Sequence, residues 1–158
     1  MSRKRFDEMN CGVAQALDVL GDWWTLLIVR DAFLGLTRFR QFERSLGIAK
    51  NILANRLERL VEHGIMDRTD VLDTGYCEYR LTAKGEALIT VLTVLREWSD
   101  EWIFGRGHEP VIVTDRRTGK RLPKTKIRDG QGREVSPRNL RVIPGPGATA
   151  ETKQRLSS

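Results

Sequence analysis

Two helical stretches joined by only three residues constrain this chain more than any other feature. From Thr37 to Leu46, TRFRQFERSL, the apolar residues Phe39, Phe42 and Leu46 return at steps of three and four. From Ile48 to Gly64, IAKNILANRLERLVEHG, the residues Ile52, Leu53, Leu57, Leu60 and Val61 mark a second buried face. Gly47-Ile48-Ala49 leaves room for a tight turn and little else. Two amphipathic helices held this closely must share a core. A helix, a turn containing Gly and a second helix with a polar outer face form the helix-turn-helix pattern, in which the first helix crosses the DNA backbone and the second enters the major groove.

The outward side chains suit that task. Arg forks onto guanine, Asn pairs with the N6/N7 edge of adenine and Lys neutralises phosphate, so Lys50, Asn51, Asn55 and Arg56 are candidate readers. Arg38, Arg40 and Arg59 are candidates for positioning the backbone, and Ile52 is expected to pack toward the first helix of the motif. A few Arg and Asn on an isolated amphipathic helix would describe ordinary solvated surface. The paired arrangement is what turns the reading toward duplex DNA.

The flanking segments extend the pattern. Val13, Ala16, Leu17 and Leu20 predict a helix from Cys11 to Leu20, stopped by Gly21. Asp22 can cap the next helix, which begins WWTLLIV, runs to about Phe33 and, being apolar nearly all round, is expected to be the most deeply buried. After Gly64, the runs Ile65–Asp70 and Tyr76–Leu81 around Asp73-Thr74-Gly75 predict a β-hairpin, the wing of a winged helix-turn-helix. Arg68 is its best candidate for a DNA contact, but Asp70 and Asp73 near the tip predict a wing that adds little affinity. Thr82 can cap a long helix to about Phe104, on which Leu88, Val91, Leu95, Trp98 and Trp102 form a seam at alternating steps of three and four. Such a seam predicts a homodimer, and its two-fold symmetry predicts a palindromic operator.

The opening residues MSRKRFDEMN lack an apolar core, and no apolar run approaches the roughly 20 residues of a membrane span, so a cytoplasmic protein without a membrane partner is expected. Two cysteines, Cys11 and Cys77, make neither a disulfide scaffold nor a metal cluster. With two separated histidines, no acidic pair at a recognisable spacing and no Gly-rich phosphate loop after a strand, nothing assembles into catalytic machinery, and no cofactor is expected. A protein-binding module is the competing class, since the acidic hairpin tip and a nearly neutral core would permit it. Charge is unevenly placed: residues 105–158 hold 13 Lys/Arg against 5 Asp/Glu, whereas residues 1–104 hold 14 against 16. The basic excess lies in the tail, which is either a solvated segment or a source of phosphate contacts.

Taken in order, CGVAQALDVLGDWWTLLIVRDAFLG, RFRQFERSL, GIAKNILANRLERLVEHG and CEYRLTAKG resemble the HxlR-type winged helix-turn-helix transcriptional regulators, relatives of the MarR group, over about residues 11–104. The resemblance implies a homodimeric regulator, most simply a repressor, that joins through its first and last helices. Val13 and Leu17 would thus join Leu88, Val91, Leu95, Trp98 and Trp102 at the interface, with Lys50, Asn51, Asn55 and Arg56 at DNA-contact positions. Cys11 matches an N-terminal cysteine that several such regulators use to sense oxidants or electrophiles. It stands here as a redox-sensing candidate beside the alternative of a small residue packed at a dimer surface, while Cys77 is expected to pack on the wing strand. Two departures matter: the usual Ser-Pro at the start of the reading helix is Ala49-Lys50, which removes a side-chain cap worth about 1 kcal/mol, and Trp23 stands where Lys or Arg is common.

Beyond Gly105, short strand-like runs at Val111–Thr114, Lys126–Arg128 and Leu140–Ile143, with turns at Thr118-Gly119 and Asp129–Gly132, predict a small β-rich extension over 105–143. Its rhythm is similar to an extension that carries zinc-ribbon cysteines in some HxlR-type proteins. Thr, Gly, Asp and Gln replace them here, so no structural zinc is expected. Residues 144–158, rich in Gly, Pro, Ser and Thr, predict a flexible tail. The expected fold class is therefore mainly α with a β-hairpin wing over 1–104, followed by the extension and the tail.

Overall fold

The computed structural model describes residue 6, residues 8–72 and residues 74–157. Asp22 begins the central packing: its side chain accepts the Thr25 N–H at 3.2 Å and starts α2 (Trp23–Phe33), after α1 (Gly12–Leu20) has ended at Gly21 with a positive φ. Then come α3 (Phe39–Leu46), α4 (Lys50–Glu62), an antiparallel hairpin of β1 (Met66–Asp70) and β2 (Cys77–Leu81), and α5 (Ala83–Ser99). The helix-turn-helix and the wing are as the periodicity predicts. In the hairpin Met66 pairs with Leu81, Arg68 with Tyr79 and Asp70 with Cys77. Arg38 adds a single bridge to Glu78, so the chain entering α3 borders β2, on the side away from β1.

Ile28 and Val29 of α2, Phe42 of α3, Leu53, Leu57 and Leu60 of α4, and Ile65, Met66 and Tyr79 of the wing form one apolar core. Among the described helices α2 is the most deeply buried, as expected, through Thr25, Ile28, Val29 and Asp31, although Trp23 and Phe33 at its two ends remain exposed, at 71% and 58%. One expectation changes. On α4 the buried row runs through Leu53, Leu57 and Leu60, which leaves Ile52 at its edge and 38% exposed instead of packed inward.

Helix α5 starts as read. Thr82 Oγ1 accepts the Gly85 N–H at 3.2 Å and donates to the Gly64 carbonyl at 2.7 Å, so the cap also ties the helix to the end of α4. The end of the helix differs from expectation: the α-helical ladder stops at Ser99 and a π turn covers Asp100–Phe104, where Arg96 ion-pairs with the buried Asp100. The described residues separate into two compact units. One runs from Val13 to Thr93, and the other combines Glu8–Gly12 with Val94 onward.

In the second unit the turns fall where the sequence places them, but the strands shrink to single bridges, Thr114 to Arg121 and Arg128 to Glu134, and Leu140–Ile143 forms none. Too few large apolar residues flank these turns to bury a sheet face. Where composition predicts a flexible tail, a short helix α6 (Ala150–Leu156) forms. Asn10 holds its start: the Asn10 side chain donates to the Gly147 carbonyl at 3.2 Å and accepts the Thr149 N–H at 3.1 Å. Among the described residues no single helix is long and apolar enough to cross a membrane.

Candidate nucleic-acid interface

The outer face of α4 changes character along its length. Lys50, Asn51 and Asn55 are exposed over its first turns, whereas Glu58 and Glu62 occupy the same side further on. Carboxylates repel phosphate, so only the N-terminal half can approach a duplex, the half that recognition helices use. Ala49 starts the helix in an extended conformation without a side-chain cap, as the departure from Ser predicts. Lys50 is exposed and lies 3.9 Å from Glu43, too loosely held to be neutralised.

The asparagines differ. Asn55 Oδ1 accepts a bond from Arg56 Nη1 at 2.7 Å, whereas the Asn51 amide has no hydrogen-bond partner among the described residues. Reading adenine takes both ends of the amide, so Asn51 is the better prepared of the two. Arg56 departs from its expected place at the reading surface. It ion-pairs with Asp22, its side chain is only 21% exposed, and its Nε is buried without a partner. Arg59 likewise turns inward, donating from Nη2 to the Asp18 carbonyl near the end of α1 at 3.2 Å. Both guanidiniums tie α4 to the preceding helices.

Beside α4 lies an open cleft of about 890 Å³ between α3 and the wing, lined by Arg38 just before α3, by Arg40 and Arg44 on it, and by Arg68, Asp70 and Tyr76 from the wing. Gln41 Oε1 sets the start of α3 by accepting the Thr37 and Arg38 N–H groups, both at 2.9 Å. The Arg38 guanidinium lies 5.0 Å from the centre of the Tyr76 ring and 3.6 Å from Glu78, so it is partly committed. Arg40 and Arg44 are exposed, one turn apart, and have no ion-pair partner among the described residues. Arg44 is the residue the sequence reading passed over, although its spacing of four from Arg40 was the available signal.

Arg68 is exposed and lies 3.7 Å from Asp70, which offsets part of its charge. Cys77, Tyr79 and Asp70, in that order, hold the Arg68 guanidinium above its ordinary pKa. Burial, and then a hydrogen bond with Cys77, push the Tyr79 phenol up to about 12, so it stays protonated at neutral pH. Asp70 is exposed at the wing tip, and Asp73 lies outside the described residues.

Of the residues expected at a dimer surface, Val13, Leu17, Val91, Leu95, Trp98 and Trp102 are all exposed by half or more, whereas Leu88 is half-buried against the core. Cys11 is half-buried immediately before α1, and its N–H donates to the Met9 carbonyl at 2.8 Å. The cations that precede it in sequence, Arg3, Lys4 and Arg5, lie outside the described residues. Among the described residues no group of three His, Cys, Asp or Glu is placed to hold a metal ion.

A helix-turn-helix with a two-stranded wing, bearing a basic first helix and a polar second one, defines the winged-helix class of transcriptional regulators. The HxlR-like helix-turn-helix profile matches residues 19–106, and the chain belongs to that family. It is 39% identical over 140 residues to an HTH-type transcriptional regulator of Mycobacterium tuberculosis, covering 88% of this chain and 89% of that one. It is 35% identical over 98 residues to the HTH-type transcriptional regulator YvaP of Bacillus subtilis, covering 61% and 91%. Among solved structures, the transcription-factor candidate PA1607 superposes with a TM-score of 0.82 at 43% identity over 90% of this chain and 100% of its own. The reduced form of the B. subtilis regulator YodB gives 0.52 at 31% identity over 60% and 96%. The chain is thus a transcriptional regulator with a helix-turn-helix domain.

Proposed function

We propose that the chain acts as a homodimeric repressor that places one α4 in each of two successive major grooves of a palindromic operator. The observation that carries this reading is the unspent chemistry of two neighbouring helices: Lys50 and Asn51 open α4, and Arg40 and Arg44 stand uncommitted on α3. Asn51, with Asn55 beside it, reads base edges, while Lys50, Arg40 and Arg44 hold phosphates and Arg38 and Arg68 contribute less. Arg56 and Arg59 position α4 without touching the duplex. A bound dimer represses most simply by excluding polymerase from the promoter.

The test uses a duplex selected from a random library by the full chain. Asn51→Ala is expected to weaken binding to the selected site by about 2 kcal/mol while leaving random duplex nearly unchanged. Arg40→Ala should weaken both alike and reduce the salt dependence. Equal losses on both duplexes from Asn51→Ala would remove base reading from α4.

For the dimer, the support is the exposed row of Val91, Leu95, Trp98 and Trp102 on and just after α5. Replacing Trp98 and Trp102 together with glutamate should convert a sedimenting dimer to a monomer that keeps its helical circular dichroism. A wild-type chain that sediments as a monomer at micromolar concentration would end this part of the reading. Redox input through Cys11 draws support from the likeness to HypR, a redox regulator solved in reduced form, at 28% identity and a TM-score of 0.53. Peroxide should release wild-type chain from its operator but not Cys11→Ser, and equal release from both would dismiss Cys11 as the sensor.

A further inference from the structure

The second unit carries a cationic surface that the helix-turn-helix does not account for. Its 13 Lys/Arg between residues 105 and 158 face only 5 Asp/Glu. Most of those acids are occupied: Glu109 pairs with Arg121 at 3.0 Å, Asp129 with Arg133 at 2.8 Å and Glu134 with Lys126 at 2.7 Å. The cations left over gather most densely at one turn, DRRTGK, where Arg116, Arg117 and Lys120 are exposed and have no ion-pair partner among the described residues.

That turn is built so that its own carboxylate does not neutralise its tip. Asp115 Oδ1 accepts the N–H groups of Arg117 and Thr118, both at 2.8 Å. The backbone closes on the same residue, with Asp115 N donating to the Lys120 carbonyl at 2.9 Å and Gly119 N to the Asp115 carbonyl at 2.7 Å. Gly119 occupies the left-handed region, φ +67°, that lets the chain reverse within so few residues. Those backbone bonds, Thr118 first and then Arg117, hold the Asp115 carboxyl below the ordinary aspartate range, so it stays ionised with its charge directed into the turn. A fixed backbone presents the three cations at a smaller ordering cost than a loose segment would.

We propose that the Asp115–Lys120 turn is a phosphate-binding site of the regulator, gripping the backbone of duplex DNA independently of base sequence and in addition to the contacts of α3 and α4. Three uncompensated cations on a short rigid tip match a strand carrying a phosphate at every nucleotide. The tip offers no large apolar side chain for insertion into a lipid surface, and it belongs to the same chain as a helix-turn-helix, whose partner chemistry is duplex DNA. The site rests on the DNA-binding reading above, and the two fail separately.

The experiment compares the full-length wild-type chain with the triple variant R116A/R117A/K120A, on the selected duplex and on a random duplex of equal length, across a salt series. Each phosphate contact removed should flatten the plot of log affinity against log salt by about 0.9, so the triple variant should lose about 2–3 in slope per bound copy, with the ratio of selected to random affinity unchanged. The charge-preserving variant R116K/R117K should keep the wild-type slope, since phosphate contacts need charge rather than a forked donor. A triple variant with wild-type slope on both duplexes overturns the site and leaves DNA binding by α3 and α4 intact. Selective loss of the selected duplex overturns the phosphate assignment in favour of base reading. Loss of binding to anionic phosphatidylserine vesicles, with the DNA slope unchanged, overturns it in favour of a membrane surface. A wild-type chain that binds neither duplex overturns both readings together.

Discussion

Replacing Gly85 with alanine is expected to lower the unfolding free energy by about 3 kcal/mol, although the substitution ordinarily favours a helix by about 1 kcal/mol. Gly85 sits in the first turn of α5, where a Cβ would lie 2.2 Å from the Ile65 carbonyl oxygen and 3.0 Å from Leu81 Cδ2. The first obstacle is backbone, and it cannot rotate away as a side chain would. The Ile65 carbonyl is also held, since it accepts the Thr82 N–H at 3.0 Å and lies 3.2 Å from Thr82 Oγ1. Relief therefore requires α5 to lift from the junction of α4 and the wing, which takes packing from Ile65 and Leu81. Chemical denaturation should show a lower midpoint with an unchanged slope. An alanine variant as stable as wild type would mean that α5 does not cross the wing this closely.

The Gly85 crossing also marks what a sequence can and cannot declare. The helix-turn-helix was legible because Phe39, Phe42 and Leu46, and then Leu53, Leu57 and Leu60, repeat at the period of the structure that buries them. The wing was legible from its turn chemistry, and the end of α4 from Gly64, which takes φ +65°. Gly85 was not, because the need for a missing side chain arises from Ile65, which only the folded chain brings across. The same holds at the far end of α5. Every helical step from Leu88 to Trp102 fits a continuous seam, yet burial of Asp100 against Arg96 comes with a π turn that no periodicity announces. In the extension, turn residues predicted the turns correctly, and the strand-like runs failed because a strand needs an apolar face to share.

Arg56 turns toward Asp22 for a related reason, and it yields the second large effect. On a helical projection Arg56 borders both the outer face and the buried row of Leu53 and Leu57, and periodicity does not decide between the two. The decision comes from Asp22, which caps α2 through Thr25 and also ion-pairs with Arg56. Asp22→Ala should therefore cost more than a cap. Loss of the cap contributes about 1 kcal/mol, and a mostly buried guanidinium that keeps only its bond to Asn55, with its Nε already unpartnered, adds about 2 kcal/mol. A total of about 3 kcal/mol is expected in denaturation experiments. Arg56→Met keeps the stem and removes the charge, so it should cost less than Asp22→Ala, and adding it to Asp22→Ala should recover part of the loss. Because α4 is pinned to α2 through this pair, Asp22→Ala should also weaken binding to the selected duplex without any contact to it, and Arg56→Met should preserve the ratio of selected to random affinity. If Arg56→Met instead abolished that ratio in a stably folded chain, Arg56 would be touching bases, and its pairing with Asp22 would be a resting position that it leaves on reaching DNA.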